Sequence, residues 1–322
     1  MEETLIASWI KKNAVRKMIT APDGVCLNTY HTLHDDAKGT IVMVHGFCEF
    51  FGKYHELFYR FYREGFNVFF LELRGHGKSG NRREFSDHRI TVGSFDEYVS
   101  DLRTLMETEV FVMCPLGHKF LFSHSMGGAV SALYMETFPD DFAGAVLSAP
   151  MMEIEYGMPS AAVSVAKVLS DVVENDDDYA PSQGPWTGRY NFEGSNSTCR
   201  ERYDYQFRQR MEDEDYRTWG GTWAWAKAAR RASAKAIREA GKIKTPILMF
   251  RAETDAMVTP EGQDAFCLRC PNTVLLEVTG VKHEIFSSDD DVLEKYLADI
   301  FVFFNAHLHT DTAKRRAGKK VY

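Results

Sequence analysis

KFLFSHSMGGAV, residues 119–130, decides how the rest of the chain reads. Lys119–Ser123 is a short apolar run of the kind found in strands buried on both faces. It leads without a linker into Ser-x-Ser-x-Gly-Gly and then a helical stretch from Met126. A strand entering a tight turn that opens a helix presents its turn residue, here Ser125, at the strand's end on strained backbone. The residues two before and two after press against neighbouring backbone and must be small. Gly127 meets that demand. Position 123 is serine where glycine is usual, and its one Cβ and hydroxyl should fit with a small adjustment. The new helix turns the Met126 amide and its positive dipole end toward any oxyanion forming beside Ser125.

Outward from this turn, similar apolar runs recur at Thr40–Val44, Asn67–Leu71, Gly144–Ser148, Pro246–Arg251 and Thr273–Val278. Helical patterns lie between them, at Tyr54–Glu64, Ser94–Val110, Met126–Phe138, Pro260–Cys267 and Asp289–His307. Such alternation predicts an α/β fold, a mostly parallel sheet with helices on both faces. The alternation stops after Pro150 and resumes near Pro246. The stretch between is rich in Asp, Glu, Arg, Tyr and Trp, with helices expected around Ala161–Val173, Arg200–Arg210 and Trp223–Glu239. We read residues 1–150 and 241–322 as the core and 151–240 as an inserted, mainly helical cap.

Three further features fit a Ser125-centred chemistry. HGF at 45–47 follows the first parallel strand, where a second oxyanion amide, that of Phe47, would be placed. Asp255 lies just beyond the Pro246–Arg251 run, and His283 just beyond Thr273–Val278. Serine is a poor nucleophile until a neutral imidazole takes its proton. The imidazole in turn needs an anion to fix its tautomer and stabilise its cation. Glu253 rivals Asp255 as that anion, but Asp255 sits on the loop past the strand, where the acid usually lies. Ser125, Asp255 and His283 follow one another along the chain as nucleophile, acid and base, and His283 is alone among eleven histidines in having both that order and a loop position after a strand. His124 should point away from Ser125, and His45 and His76 read as loop-shaping. RGHGKSG at 74–80 formally contains G-x-G-x-x-G. The residues after it open no apolar-faced helix, so we read a tight loop rather than a dinucleotide site.

The 322 residues carry a net charge of −8 with 44% hydrophobic content, which excludes a disordered chain and argues against nucleic-acid binding. The one basic run, Lys314 to Lys320, reads as a solvated tail, with weak adhesion to anionic lipid as the alternative. The N-terminus has no apolar signal segment, and no window reaches 18 apolar residues. Cys26, Cys48, Cys114, Cys199, Cys267 and Cys270 are expected as reduced thiols in a cytoplasmic protein, with peripheral membrane contact possible. Cys267 and Cys270 form a CxxC without a second pair to complete a zinc site.

These residues resemble the serine hydrolases of the α/β-hydrolase superfamily, in the lysophospholipase and monoacylglycerol lipase branch. The likeness rests on HGFCEFFGKY (45–54), RGHGKSG (74–80), HSMGGA (124–129), SAPMM (148–152) and GVKHEIF (280–286), with NSTCRERY (196–203) and GGTWAWAKAA (220–229) in the insertion. It spans about residue 25 to 308. The resemblance implies an α/β-hydrolase fold with Ser125 as nucleophile, His283 as general base, Asp255 as its orienting acid, and Phe47 and Met126 as oxyanion donors. It implies no metal and no organic cofactor. The substrate it implies is a single-acyl lipid ester, lysophospholipid or monoacylglycerol. A proline-type aminopeptidase of the same fold is the alternative, and a non-catalytic small-ligand binder a more distant one. A dehalogenase or epoxide hydrolase would want aspartate at 125. The insertion's aromatics, Tyr156, Trp186, Tyr190, Phe192, Tyr203, Tyr205, Phe207, Trp219, Trp223 and Trp225, are expected to divide between cap core and an apolar acyl tunnel.

Overall fold

The computed structural model describes residues 2–81, 85–155 and 175–308. Eight strands form one sheet: β1 (Val15–Thr20), β2 (Cys26–Thr32), β3 (Gly39–Val44), β4 (Phe66–Leu71), β5 (Lys119–His124), β6 (Gly144–Ser148), β7 (Ile247–Ala252) and β8 (Thr273–Val278). Their order across the sheet is β1-β2-β4-β3-β5-β6-β7-β8. β1 and β2 run antiparallel at one edge, and every pairing from β4 to β8 is parallel. The chain builds outward from β3 to β4 and then returns to place β5 on the other side. That reversal opens a crevice beyond the carboxyl ends of β3 and β5, where ligands bind in open parallel sheets.

Strand alternation divides the core in two. Val42, Val44, Phe69, Leu71, Leu121 and Leu147 face one side. There they meet α3 (Phe95–Leu105), α4 (Met126–Thr137), α6 (Trp223–Glu239) and α7 (Pro260–Arg269). Ile41, Met43, Val68, Phe70, Phe122 and Val146 face the other, against α1 (Glu3–Asn13), α2 (His55–Arg63) and α8 (Asp290–His307). The central strands are fully buried, and each such Val, Leu or Phe contributes about 1.5–3 kcal/mol.

The six expected strands all form. The two the pattern missed, β1 and β2, are polar for identifiable reasons. β1 (VRKMIT) is almost wholly exposed at the edge. In β2 two of the buried polar residues have carboxylate partners: Asn28 donates to Glu72 (2.8 Å) and Thr29 to Glu109 (2.9 Å). Glu109 is aimed inward by a π-helical turn, Met106–Val110, in the helix expected over 94–110. Such single turns shift which side chains face in.

Between β6 and β7 the described chain supplies α5 (Arg200–Glu212) and α6. In α6, Ala228, Ala229, Ala232 and Ala236 are buried at helical spacing. These small residues let α6 pack within the layer that holds α4. α5 lies over the turn Phe51–Tyr54 and is tied down by Arg202, which bridges Glu56 (2.8 Å) and Asp290 (2.7 Å). The helix expected at 161–173, Tyr156 and the basic tail lie outside the described residues.

Candidate active site

Ser125 sits between β5 and α4 with φ 52° and ψ −118°, a region costly for a residue with a side chain. Its surroundings hold it there. Its amide donates to the Ser148 carbonyl (3.0 Å), and its own carbonyl accepts from Gly128 (2.8 Å) and Met151 (2.9 Å). Gly127 is required: a Cβ there would lie 2.4 Å from the Val44 carbonyl oxygen and 2.6 Å from that of His45. Ser123 is fully buried and fits, with its hydroxyl 3.5 Å from the Val146 carbonyl.

His283 follows β8 and Asp255 follows β7. The imidazole Nδ1 lies 2.7 Å from Asp255 Oδ2, and both side chains are buried. Burial pushes the Asp255 pKa up, but the His283 hydrogen bond and charge and the amides of Met257 and Val258 outweigh it and leave it lowered. Glu253, the rival acid, turns instead to the Gly280 amide (2.6 Å). His283 also packs against His124, with ring centres 4.8 Å apart, and His124 immediately precedes Ser125.

The HGF loop leaves β3 beside Ser125: a Cβ built on Gly46 would stand 3.0 Å from that of Ser125. Buried His45 fixes the loop. Leu73 N–H donates to Nε2 (2.9 Å), so the ring proton is on Nδ1 and donates to the Gly46 carbonyl (2.7 Å). Desolvation lowers the His45 pKa to about 4, which keeps this tautomer neutral. Among the described residues, neither the Phe47 nor the Met126 amide has an acceptor. The Phe47 ring stacks on Trp225 of α6, centre to centre 3.9 Å.

Beneath the loop lies a buried charge network that sequence reasoning missed. Glu49 accepts from the Gly46 amide (2.5 Å), Tyr54, His124 Nδ1 (3.1 Å) and Lys53 Nζ (2.6 Å). Lys53 also reaches Glu284 (2.7 Å), the neighbour of His283, and His124 Nε2 faces the His283 carbonyl (3.2 Å). Burial pushes the Glu49 pKa up, but Lys53 and then His124 reverse this and leave it well below the carboxylate range. The network therefore touches the residue before Phe47, the residue before Ser125 and the residue after His283. The one signal for it in sequence was charge inside an otherwise apolar stretch, Glu49 and Lys53 in FCEFFGKY.

The glycine-rich loop is structural. It wraps the buried Glu72 carboxylate, which accepts from the amides of Phe51 (2.9 Å) and Lys78 (2.8 Å). Gly77, at φ 54°, has no room for a Cβ against that carboxylate. All six cysteines, Cys267 and Cys270 included, are free. Among the described residues, no cluster of three His, Cys, Asp or Glu side chains could hold a metal ion, and no helix is long and apolar enough to cross a membrane.

Residues 35–291 match the model of the family described as serine aminopeptidase, S33, and the chain belongs to that family of hydrolases. It is 31% identical to lysophospholipase L2 of Escherichia coli over 278 residues, covering 83% of this chain and 80% of that protein. It is 34% identical to a monoacylglycerol lipase of Mycolicibacterium smegmatis over 155 residues, 47% of this chain and 53% of the lipase. Among solved structures, a soluble variant of monoglyceride lipase from Saccharomyces cerevisiae in complex with a substrate analog superposes with a TM-score of 0.70. That likeness, at 16% identity over 91% of this chain and 96% of that one, establishes the α/β-hydrolase fold.

Proposed function

We propose that this hydrolase cleaves the ester of a single-acyl lipid, a lysophospholipid or a monoacylglycerol, through an acyl-serine intermediate. The observation that carries the reading is the His283–Asp255 hydrogen bond at the carboxyl edge of the sheet, on the same rim as a serine held at positive φ. With Nδ1 engaged by Asp255, Nε2 is the nitrogen left to take the Ser125 proton. Ser125 Oγ then adds to the ester carbonyl, and the oxyanion is met by the amides of Phe47 and Met126. Collapse of the tetrahedral adduct expels the glycerol-bearing alcohol, which takes its proton from His283. Water, deprotonated by the same imidazole, adds to the acyl-enzyme, and a second collapse releases fatty acid and restores Ser125.

Residues 151–240 are read as the cap that shapes the acyl pocket, with α6 doubling as sheet cover. The names of the bacterial relatives support the lipid substrate. The family's description supports a second reading, cleavage of an amide after an N-terminal residue.

One panel tests both: p-nitrophenyl esters of several chain lengths, a monoacylglycerol, a lysophospholipid and proline-naphthylamide, with wild type and Ser125→Ala. Lipid turnover abolished by Ser125→Ala is expected. Turnover of the amide alone, or full esterase activity in Ser125→Ala, overturns the proposal.

A further inference from the structure

Three arginines are more than nine-tenths buried among the described residues, and two are compensated. Arg74 meets Asp23, Glu97 and Asp101, and Arg202 meets Glu56 and Asp290. The third, Arg210 of α5, is 8% exposed and makes no ion pair, although the charges of Glu284 and Glu49 act on it from farther away. Its Nη2 donates to the Cys48 carbonyl (2.5 Å), and its Nε has no acceptor. Its faces are covered by Phe50 and Trp219, each ring centre 4.8 Å from the guanidinium carbon. A buried cation without a direct ion pair is costly, and an orphaned buried donor adds to that. Aromatic faces attract the cation but leave its N–H edge unsatisfied.

The position of this edge gives it meaning. Cys48 directly follows Phe47 in the loop that faces Ser125. Trp219, on one side of the guanidinium, is itself 40% exposed, so the cation lies one ring away from solvent.

We infer that Arg210 is the receptor for an anionic head group, the phosphodiester of a lysophospholipid whose ester is presented to Ser125. The inference rests on the ester-hydrolase reading above and narrows its substrate. In a lysophospholipid the ester on one glycerol end and the phosphate on the other are separated by the three glycerol carbons. A monoanionic phosphodiester supplies paired oxygens for the guanidinium fork and neutralises its charge. A monoacylglycerol offers a neutral hydroxyl there and leaves the guanidinium without a direct ion pair. Arg210 is thus a specificity residue, and its effect falls on the choice between two lipids of equal chain length.

The test is the ratio of kcat/KM for lysophosphatidylcholine to that for monoacylglycerol, both with the same acyl chain. Arg210→Met is expected to lower this ratio on the order of 10- to 100-fold, as loss of a hydrogen bond to a charged group does, and Arg210→Lys to restore part of it. An Arg210 that only braced the Cys48 loop would lower both activities together and leave the ratio unchanged, which would overturn the inference. Should Arg210→Met not fold, wild type decides. sn-Glycerol 3-phosphate should inhibit p-nitrophenyl butyrate hydrolysis competitively at concentrations at least about tenfold below those of glycerol. Equal inhibition by the two overturns the inference. Wild type that cleaves neither lipid removes the ester-hydrolase reading itself, an outcome distinct from an unchanged ratio.

Discussion

Lys53→Met should be among the most damaging single changes in this protein, although Lys53 belongs to no catalytic step. Nζ lies 2.6 Å from Glu49 Oε1 and 2.7 Å from Glu284 Oε1. One cation therefore holds two buried carboxylates within ~5 Å of each other, and at an effective dielectric near 20 such a pair repels by about 3 kcal/mol. With the lost charge-assisted hydrogen bonds, the expected destabilisation is about 3–5 kcal/mol. Glu49→Gln is the matched control. Lys53 keeps Glu284, and the amide oxygen still accepts from Gly46, so the loss is about 1–2 kcal/mol. Urea unfolding reads both, with the slope m unchanged. The pH dependence gives a second reading. Without Lys53 a carboxylate is raised above its unfolded pKa, so it takes a proton at acid pH and is penalised as pH rises. The deficit of Lys53→Met should accordingly be larger at pH 8 than at pH 5. A deficit no larger than that of Glu49→Gln, or one independent of pH, would refute the assignment of Lys53 as the cation that keeps these carboxylates together.

Asp255→Asn should lower kcat for ester hydrolysis on the order of 10⁴-fold, because an amide stabilises the wrong tautomer of His283. Since the folded pKa of Asp255 is depressed, wild type should also lose stability below about pH 3.8, the carboxyl's unfolded value, and the variant less so, as thermal melts at pH 3 and 5 would reveal. Gly127→Ala places a methyl against two fixed backbone carbonyls. It should cost about 1–3 kcal/mol or more in denaturant unfolding and lower kcat by moving Ser125. Glu136, near the carboxyl end of α4, has two carboxylate oxygens without hydrogen-bond partners, and burial followed by the nearby Glu239 raises its pKa to about 8. Folded protein therefore holds a proton that the unfolded chain releases above about pH 4.5, and stability drains away between there and pH 8. Glu136→Gln should raise Tm, more at pH 8 than at pH 5. No gain at pH 8 would refute this.

The parallel half of the sheet was legible because buried strands are short and apolar on both faces, as in Thr40–Val44 and Gly144–Ser148. Ser125, Asp255 and His283 could be proposed from sequence because each lies on a turn or loop just beyond such a run, and the fold joins the last two by a hydrogen bond. β1 and β2 were not, since an edge strand needs no apolar face and Asn28 and Thr29 find partners 44 and 80 residues away. Preferring Asp255 to Glu253 was a rule about loops in sequence. In the fold the distinction is a matter of reach, because Glu253 turns back to Gly280. The Glu49–Lys53–Glu284 cluster joins positions 231 residues apart, and periodicity has no means of pairing them. Arg210 looked like any charged residue on a polar helix until its lack of an ion pair could be set beside Arg74 and Arg202.

The contact between Phe47 and Trp225 bears on how this scaffold can be re-engineered. The ring next to the proposed oxyanion amide leans on a residue from the very region one would exchange to change substrate preference. A chimera that borrows another hydrolase's insertion inherits whatever side chain that donor carries at the position of Trp225. Grafts that bring a bulky flat ring to that spot should keep turnover while altering selectivity, whereas grafts bringing a small one should bind new lipids yet process them slowly.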